Sequence, residues 1–241
     1  VRPRAFLGAA TLLVAAVACS NPRPSSGARE AGAAAIDVPR ATAVIVPTGH
    51  FRVELWGGAP STRTLLDHDG KGAVPVSEAR LLWGDGSLYV FFYAGDLDLE
   101  ARVKDHDGPV WNDDSVELAF GGPAGDRRVV RASVTGVVTD GVCPGDAASL
   151  ADPRCNLGWE SRSAVATDFD GTLNDTSGER DEEWAVEAAI PLASLSPEPL
   201  AAGARIPLRI SRCEIAHDGP RACGAWEGTL VLSGAELRVA R

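Results

Sequence analysis

Leu82-Trp83-Gly84-Asp85-Gly86-Ser87-Leu88-Tyr89-Val90-Phe91-Phe92-Tyr93 decides the fold class. Leu88, Val90, Phe92 and Ala94 alternate with Tyr89, Phe91 and Tyr93, which is the period of a strand rather than a helix. Gly84-Asp85-Gly86 interrupts the run with residues that tolerate a tight turn. Downstream, an acidic loop (Asp96, Asp98, Asp105, Asp107) leads through Pro109-Val110-Trp111-Asn112-Asp113-Asp114 into a second alternating run. There Val116, Leu118 and Phe120 oppose Ser115, Glu117 and Ala119. The same period recurs at residues 51–55, 130–134, 184–190 and 206–210, each run bounded by Gly, Pro, Asp or Asn. Beyond the leader no long segment carries a convincing 3.6-residue period, and residues 191–195 are the candidate for a single helical turn. The chain is therefore expected to be all-β: an antiparallel β-sandwich of jelly-roll or immunoglobulin-like type, in a single domain.

The amino end reads as a leader. Arg2 and Arg4 precede fourteen residues without charge (5–18) and then Cys19. Such a run is short for a membrane span and suits the core of a signal peptide. Ala16-Val17-Ala18-Cys19 resembles a bacterial lipobox, in which the Cys is acylated; ordinary secretory cleavage near Ala18 is the alternative. Residues 20–35 are small, contain Pro and lack aromatic side chains, as a tether would. The expected organisation is a signal peptide over 1–18, a lipidated Cys and tether over 19–35, and a folded domain over 36–241. It places an exported protein in the bacterial cell envelope, lipid-anchored at the outer membrane or facing the periplasm.

The formal charge is −10, and loss of the leader removes two Arg and no acid. That argues against nucleic acid and anionic lipid head groups as partners, and leaves neutral ligands and divalent cations open. There are five Cys. Four fall in close pairs, Cys143 with Cys155 and Cys213 with Cys223. In an oxidising compartment these are disulfides; three connectivities are open and the two local bridges are favoured. Cys-based metal ligation is disfavoured, since no C-x-x-C spacing occurs and the four His are scattered.

Four blocks carry a family likeness: 79–90 (ARLLWGDGSLYV), 111–118 (WNDDSVEL), 183–191 (EWAVEAAIP) and 205–212 (RIPLRISR). In order and spacing they resemble carbohydrate-binding module family 9 and its bacterial relatives, over roughly residues 43–241, and the 111–118 block is the most specific. The resemblance implies a non-catalytic sandwich that binds a mono- or oligosaccharide, often alongside glycoside hydrolases and so in polysaccharide breakdown. It implies two Trp rings clamping a terminal sugar, with a carboxylate and an Arg on its hydroxyls. By position Trp111 matches the first Trp, Glu117 the carboxylate and Arg131 the Arg; Trp226 is the candidate for the second ring, at a distance from the final strand that departs from the family pattern. No cofactor is implied. Some members hold structural calcium, for which the acidic loop from Asp96 to Asp107 is the candidate, although its ligand pattern does not carry over.

The residues themselves agree in part. A loop Trp can stack on the CH face of a pyranose, and a carboxylate accepts strong hydrogen bonds from adjacent hydroxyls. Each also has a plainer reading: Trp111 as a plug between sheets, Glu117 as a solvated strand residue, Arg131 as a salt-bridge partner, and Trp226, Trp83, Trp159 and Trp184 as packing. An interaction or structural lipoprotein with the same fold and no sugar site is the rival function. Asp168-Phe169-Asp170-Gly171 resembles the first motif of haloacid-dehalogenase-type phosphatases, but the residues downstream of it read as strands and contain no Lys; a hairpin with an Asp-Gly turn is the simpler expectation. Asp113 with Glu117 as a glycosidase pair, and a bis-His haem site among His50, His68, His106 and His217, are weaker still.

Overall fold

The computed structural model describes residues 34–66, 75–122, 124–175, 180–215 and 222–237. The leader, Cys19, His68 and His217 lie outside them. The described residues contain ten strands: β1 (Ala34–Ala41), β2 (Ser77–Gly84), β3 (Ser87–Gly95), β4 (Ser115–Phe120), β5 (Asp126–Ser133), β6 (Val138–Pro144), β7 (Ala164–Asp170), β8 (Glu183–Pro191), β9 (Arg205–Glu214) and β10 (Ala222–Leu237). Two single-turn helices, α1 (Val53–Trp56) and α2 (Leu192–Leu195), and a 3₁₀ turn at Val110–Asn112 complete the set. Strand β1 begins at Ala34, inside the expected tether.

The strands form one sheet in the order β6-β5-β4-β9-β10-β1-β2-β3-β8-β7. Both halves turn one face to a shared core, so Val116, Leu118 and Ile210 of the first pack in one cluster with Leu81, Val90, Phe92 and Trp184 of the second. This is the expected sandwich with one difference. β1 runs parallel to both β10 and β2, so the sheet is mixed rather than purely antiparallel. The long connection from β1 to β2 permits this, since parallel neighbours need a crossover and cannot be joined by a hairpin. Each fully buried Leu or Phe of this core contributes about 1.5–3 kcal/mol relative to exposure.

The β2–β3 hairpin closes through Asp85 (φ 47°) and Gly86 (φ 76°). Two successive left-handed residues give the turn whose twist matches the strands, and Gly adopts that conformation without a Cβ penalty. The helical turn expected at 191–195 forms as α2. The strand expected at 51–55 does not form: α1 takes its place, and the turn lays Leu55 and Trp56 side by side on the outer face of β2 and β3, in contact with Leu82, Tyr89 and Phe91. A strand would have sent these two side chains to opposite faces.

The tight Asp-Gly hairpin expected at 170–171 is also replaced. β7 pairs with β8, but Asp170 is opposite Glu183, so a wide loop joins them. Asp181, nearly buried, folds back to accept the N–H groups of Thr172 (2.7 Å) and Leu99 (2.6 Å) and pins that loop. Asp168 and Asp170 thus sit on an antiparallel edge strand, not at the carboxyl end of the parallel strand that the phosphatase motif requires.

Both favoured disulfides are formed, Cys143–Cys155 and Cys213–Cys223. They mark a protein of an oxidising, extracytoplasmic compartment. Among the described residues no helix is long and apolar enough to cross a membrane.

Candidate functional site

Three of the four expected sugar-binding residues come together on the outer face of β4 and β5. Glu117 is directly opposite Arg131 on one side and Ser211 on the other. Arg131 Nη1 donates to Glu117 Oε2 at 3.1 Å, and its Nε donates to Ser115 Oγ at 2.9 Å. Both partners are nearly fully buried, at 2% and 6% exposure. The loop that leaves β6, braced by Cys143–Cys155, lies over them: Leu150 N–H donates to Glu117 Oε2 at 3.1 Å, and Ala148 O accepts from Arg209 Nη1 at 3.3 Å. Burial draws the Arg131 guanidinium below its ordinary pKa, against the opposing pull of Glu117. Trp111, on the 3₁₀ turn, is not interred between the two layers; it is half-buried and packs on this loop's cluster beside Cys155 and Leu157.

Trp226 is elsewhere. It pairs with Ile210, which pairs with Leu118, so it shares their face and packs partly buried against the central core. Glu117 points to the other side of the sheet. The expected two-ring clamp is therefore not made by Trp111 and Trp226, because a one-residue offset along a strand reverses the face. Trp83 and Trp184 are buried as expected, whereas Trp159 is half-buried outside any strand. The Asp113–Glu117 pair is closed off as well: Asp113 is buried and accepts the N–H groups of Arg102 and Val103 at 3.0 Å each. Of the described His, His50 is engaged with Asp168 and His106 with Asp107.

An open site lies on the other half of the sheet. A cleft of about 530 Å³ runs over the outer face of β2, β3, β8 and β7 and under the segment that carries Gly49 and Phe51. Period-two alternation supplies its floor. Glu78, Tyr93, Ala185 and Asp168 form one cross-strand row, and Arg80, Phe91 and Glu187 the next. Phe51 stands 48% exposed, edge-on to Phe91 with ring centroids 5.2 Å apart. The Arg80 guanidinium lies 5.6 Å from the Phe51 ring, bonds Glu78 Oε1 at 3.0 Å and donates to Trp56 O at 3.2 Å. Tyr93 donates its hydroxyl to Glu183 Oε2 at 2.6 Å. That hydrogen bond, with burial and the carboxylate charge behind it, pushes the Tyr93 phenol up to about 12, so it stays a donor at any physiological pH. His50 Nδ1 meets Asp168 Oδ2 at 2.7 Å at the rim.

The segment over the cleft hangs on one buried side chain. Glu187, with no exposed surface, accepts from Thr48 N–H (2.6 Å), Thr48 Oγ1 (3.1 Å), Gly49 N–H (3.3 Å) and Trp56 Nε1 (3.0 Å), and forms an ion pair with Arg52. Charge-assisted bonds of this kind are roughly twice as strong as neutral ones. Glu187 thus fixes where Phe51 stands. The chemistry of the cleft is aromatic surface next to fixed carboxylates, a guanidinium and a phenol.

The buried acid cluster that begins the acidic loop is already served by an arginine. Asp96, Asp114 and Glu214 converge with their ligand atoms within 4.8 Å of one another, all buried. Arg212, itself 1% exposed, already supplies the cation: its Nη2 bonds Asp96 Oδ2 at 2.6 Å and also Glu214. Trp184 Nε1 donates to Asp96 Oδ2 at 2.9 Å, and Asp114 accepts the N–H groups of Glu100 and Ile215. Burial first, and then the Asp96 charge, lift Asp114 to about 8 and Glu214 to about 7. A calcium ion prefers ionised oxygens without a competing guanidinium. Asp107, at the far end of the same loop, contacts His106 at 3.1 Å and has a Glu160 oxygen within 4.8 Å.

No protein-family model matches the chain, and no curated protein does. Solved structures do. A presumed carbohydrate-binding protein from Bacteroides uniformis matches with a TM-score of 0.60 at 14% identity, covering 83% of this chain and 99% of that one. A carbohydrate-binding module of family 9 from Caldicellulosiruptor kristjanssonii, in complex with cellotriose, matches at 0.53 and 15% identity, over 83% and 94%. The same organism's family 9 module in complex with glucose gives 0.54 and 16%, over 83% and 96%. The chain therefore has the fold of the family 9 carbohydrate-binding modules, as the four sequence blocks led one to expect.

Proposed function

We propose that this protein is a non-catalytic saccharide-binding domain, held at the cell envelope through acylated Cys19, and that its sugar sits in the open cleft of β2, β3, β7 and β8. The observation that carries the reading is the side-by-side placement of exposed Phe51 and half-exposed Tyr93 with Glu78, Arg80, Asp168 and Glu183. Aromatic faces take the CH surface of a pyranose, and fixed carboxylates and a guanidinium satisfy its hydroxyls. Support from the fold is independent: structurally similar modules were solved with cellotriose and glucose. The Trp111–Glu117–Arg131 cluster is, on this reading, a pillar under the disulfide-braced loop, because two of its three members are paired and covered.

Titration calorimetry with glucose, cellotriose and a panel of other mono- and oligosaccharides tests it. The double variant Phe51→Ala/Tyr93→Ala should weaken binding by tenfold or more, from about 0.5–1.5 kcal/mol for each ring beyond its buried area. Trp111→Ala should leave affinity unchanged. Loss of binding in Trp111→Ala alone would move the seat to the opposite half of the sheet. Flat traces for the unaltered protein across the panel would sink the saccharide reading and favour an interaction or structural lipoprotein.

A further inference from the structure

A second cleft, of about 340 Å³, opens between the turn after residue 104, strand β6 and residues 160–163. Asp140 of β6 lines it and is 1% exposed. Its Oδ2 accepts the Ser161 N–H at 2.8 Å, while its Oδ1 is buried with no hydrogen-bond partner. Asp107 Oδ1 is also buried and unpartnered. A buried carboxylate oxygen without a donor is a costly exception in folded proteins, and an ion is one of its ordinary explanations. The neighbours are of the right kind: His106, Asp107 and Glu160 each offer one ligand atom, all within 4.8 Å of one another. Lys104 and Arg162 line the same cleft, yet neither forms an ion pair with Asp107, Asp140 or Glu160 among the described residues.

We propose that His106, Asp107 and Glu160 bind a divalent transition-metal ion, Zn²⁺ in the first instance, at the cleft that Asp140 also lines. One imidazole nitrogen with carboxylate oxygens is a donor set for zinc and its neighbours, whereas calcium takes oxygens alone. Asp107 Oδ2 lies 3.1 Å from His106 Nδ1, the kind of carboxylate contact that holds an imidazole in one orientation. The ion would join two segments that are far apart in the chain: the acidic loop and the stretch leading into β7. It is a structural site, remote in composition from the saccharide cleft and independent of it.

The test uses the untagged full chain carrying Cys19→Ser, so that no free thiol competes, after removal of metal with a chelator. Calorimetric titration with ZnCl₂ should show one ion per chain. His106→Ala and Glu160→Gln, both at exposed positions and so not expected to disturb folding, should each weaken it at least about tenfold. The melting temperature should rise by several degrees in excess Zn²⁺ and should not rise in His106→Ala. Absence of binding heat, equal affinity in both variants, or tighter binding of Ca²⁺ than of Zn²⁺ would each overturn the proposal.

Discussion

Glu187→Ala offers the sharpest test of how the open cleft is built. The substitution removes the acceptor of four hydrogen bonds from Thr48, Gly49 and Trp56 and the partner of Arg52. Breaking a buried ion pair by deleting one member costs about 3–5 kcal/mol. Arg52 keeps 30% of its side-chain surface and can rehydrate, which favours the lower end. Full release of the segment would limit the loss from orphaned donors but would expose Leu55, Trp56 and Phe91, at about 1.5–3 kcal/mol each. Full release comes to about 4.5–9 kcal/mol in all, so the cheaper route sets the expected loss, at about 3 kcal/mol. Glu187→Gln, which keeps the shape and one good acceptor, should lose about half as much. Urea unfolding followed by Trp fluorescence measures both, and hydrogen exchange reports whether the N–H groups of Thr48, Gly49 and Trp56 lose protection. Saccharide affinity should fall with Glu187→Ala, since Phe51 is no longer held over Phe91. A loss below about 1 kcal/mol with protection intact would show that the segment is held by its apolar contacts and that Glu187 is incidental.

Opening Cys143–Cys155 with a Cys143→Ser/Cys155→Ser double substitution should cost about 3 kcal/mol, from the entropy of a loop of this length, and should speed exchange of the Leu150 N–H that caps Glu117. Unchanged stability would mean that packing on Trp111 already holds the loop. The buried acid cluster predicts a pH effect of definite sign. Asp114 and Glu214 titrate at about 8 and 7 in the folded chain, above their unfolded values near 4, so their contribution is complete below about pH 4 and drains away as pH rises through 7 and 8. Stability should therefore decline from pH 5 to 8, by at most about 1.4 kcal/mol per pH unit for each group, and Asp114→Asn should flatten the decline. A slope that is the same in both proteins would refute the assignment.

Strand alternation made most of the sandwich legible, because a two-faced sheet imprints a period of two on every strand it contains. The departures are at positions where a tertiary partner outweighed the local pattern. Trp56 and Glu187 turn an apparent strand at 51–55 into a helical turn, and Asp181 widens an apparent hairpin. The parallel placement of β1 left no trace in its own residues, since a strand's direction depends on what it docks against. Neighbourhood was readable at the expected site and accessibility was not. Glu117 and Arg131 do face one another, but the loop that seals them is distant in sequence and carries no motif. The open cleft had a signal that went unused: Glu78 and Arg80 alternate with buried Ala79 and Leu81, and Tyr93 with Phe92 and Ala94. Read as an outward row of charge beside an outward row of aromatic rings, that pattern would have pointed to the second half of the sheet.

The parallel pairing of β1 with β10 has a mechanical consequence. Ala34 is registered beside Gly228 and Ala41 beside Leu237, so the chain enters the pair at one end and leaves it at the other. Tension between the two termini therefore drags these strands past each other lengthwise, loading all their rungs together, instead of peeling them apart one at a time. Pulled from its two ends, the domain would resist being opened in just this direction.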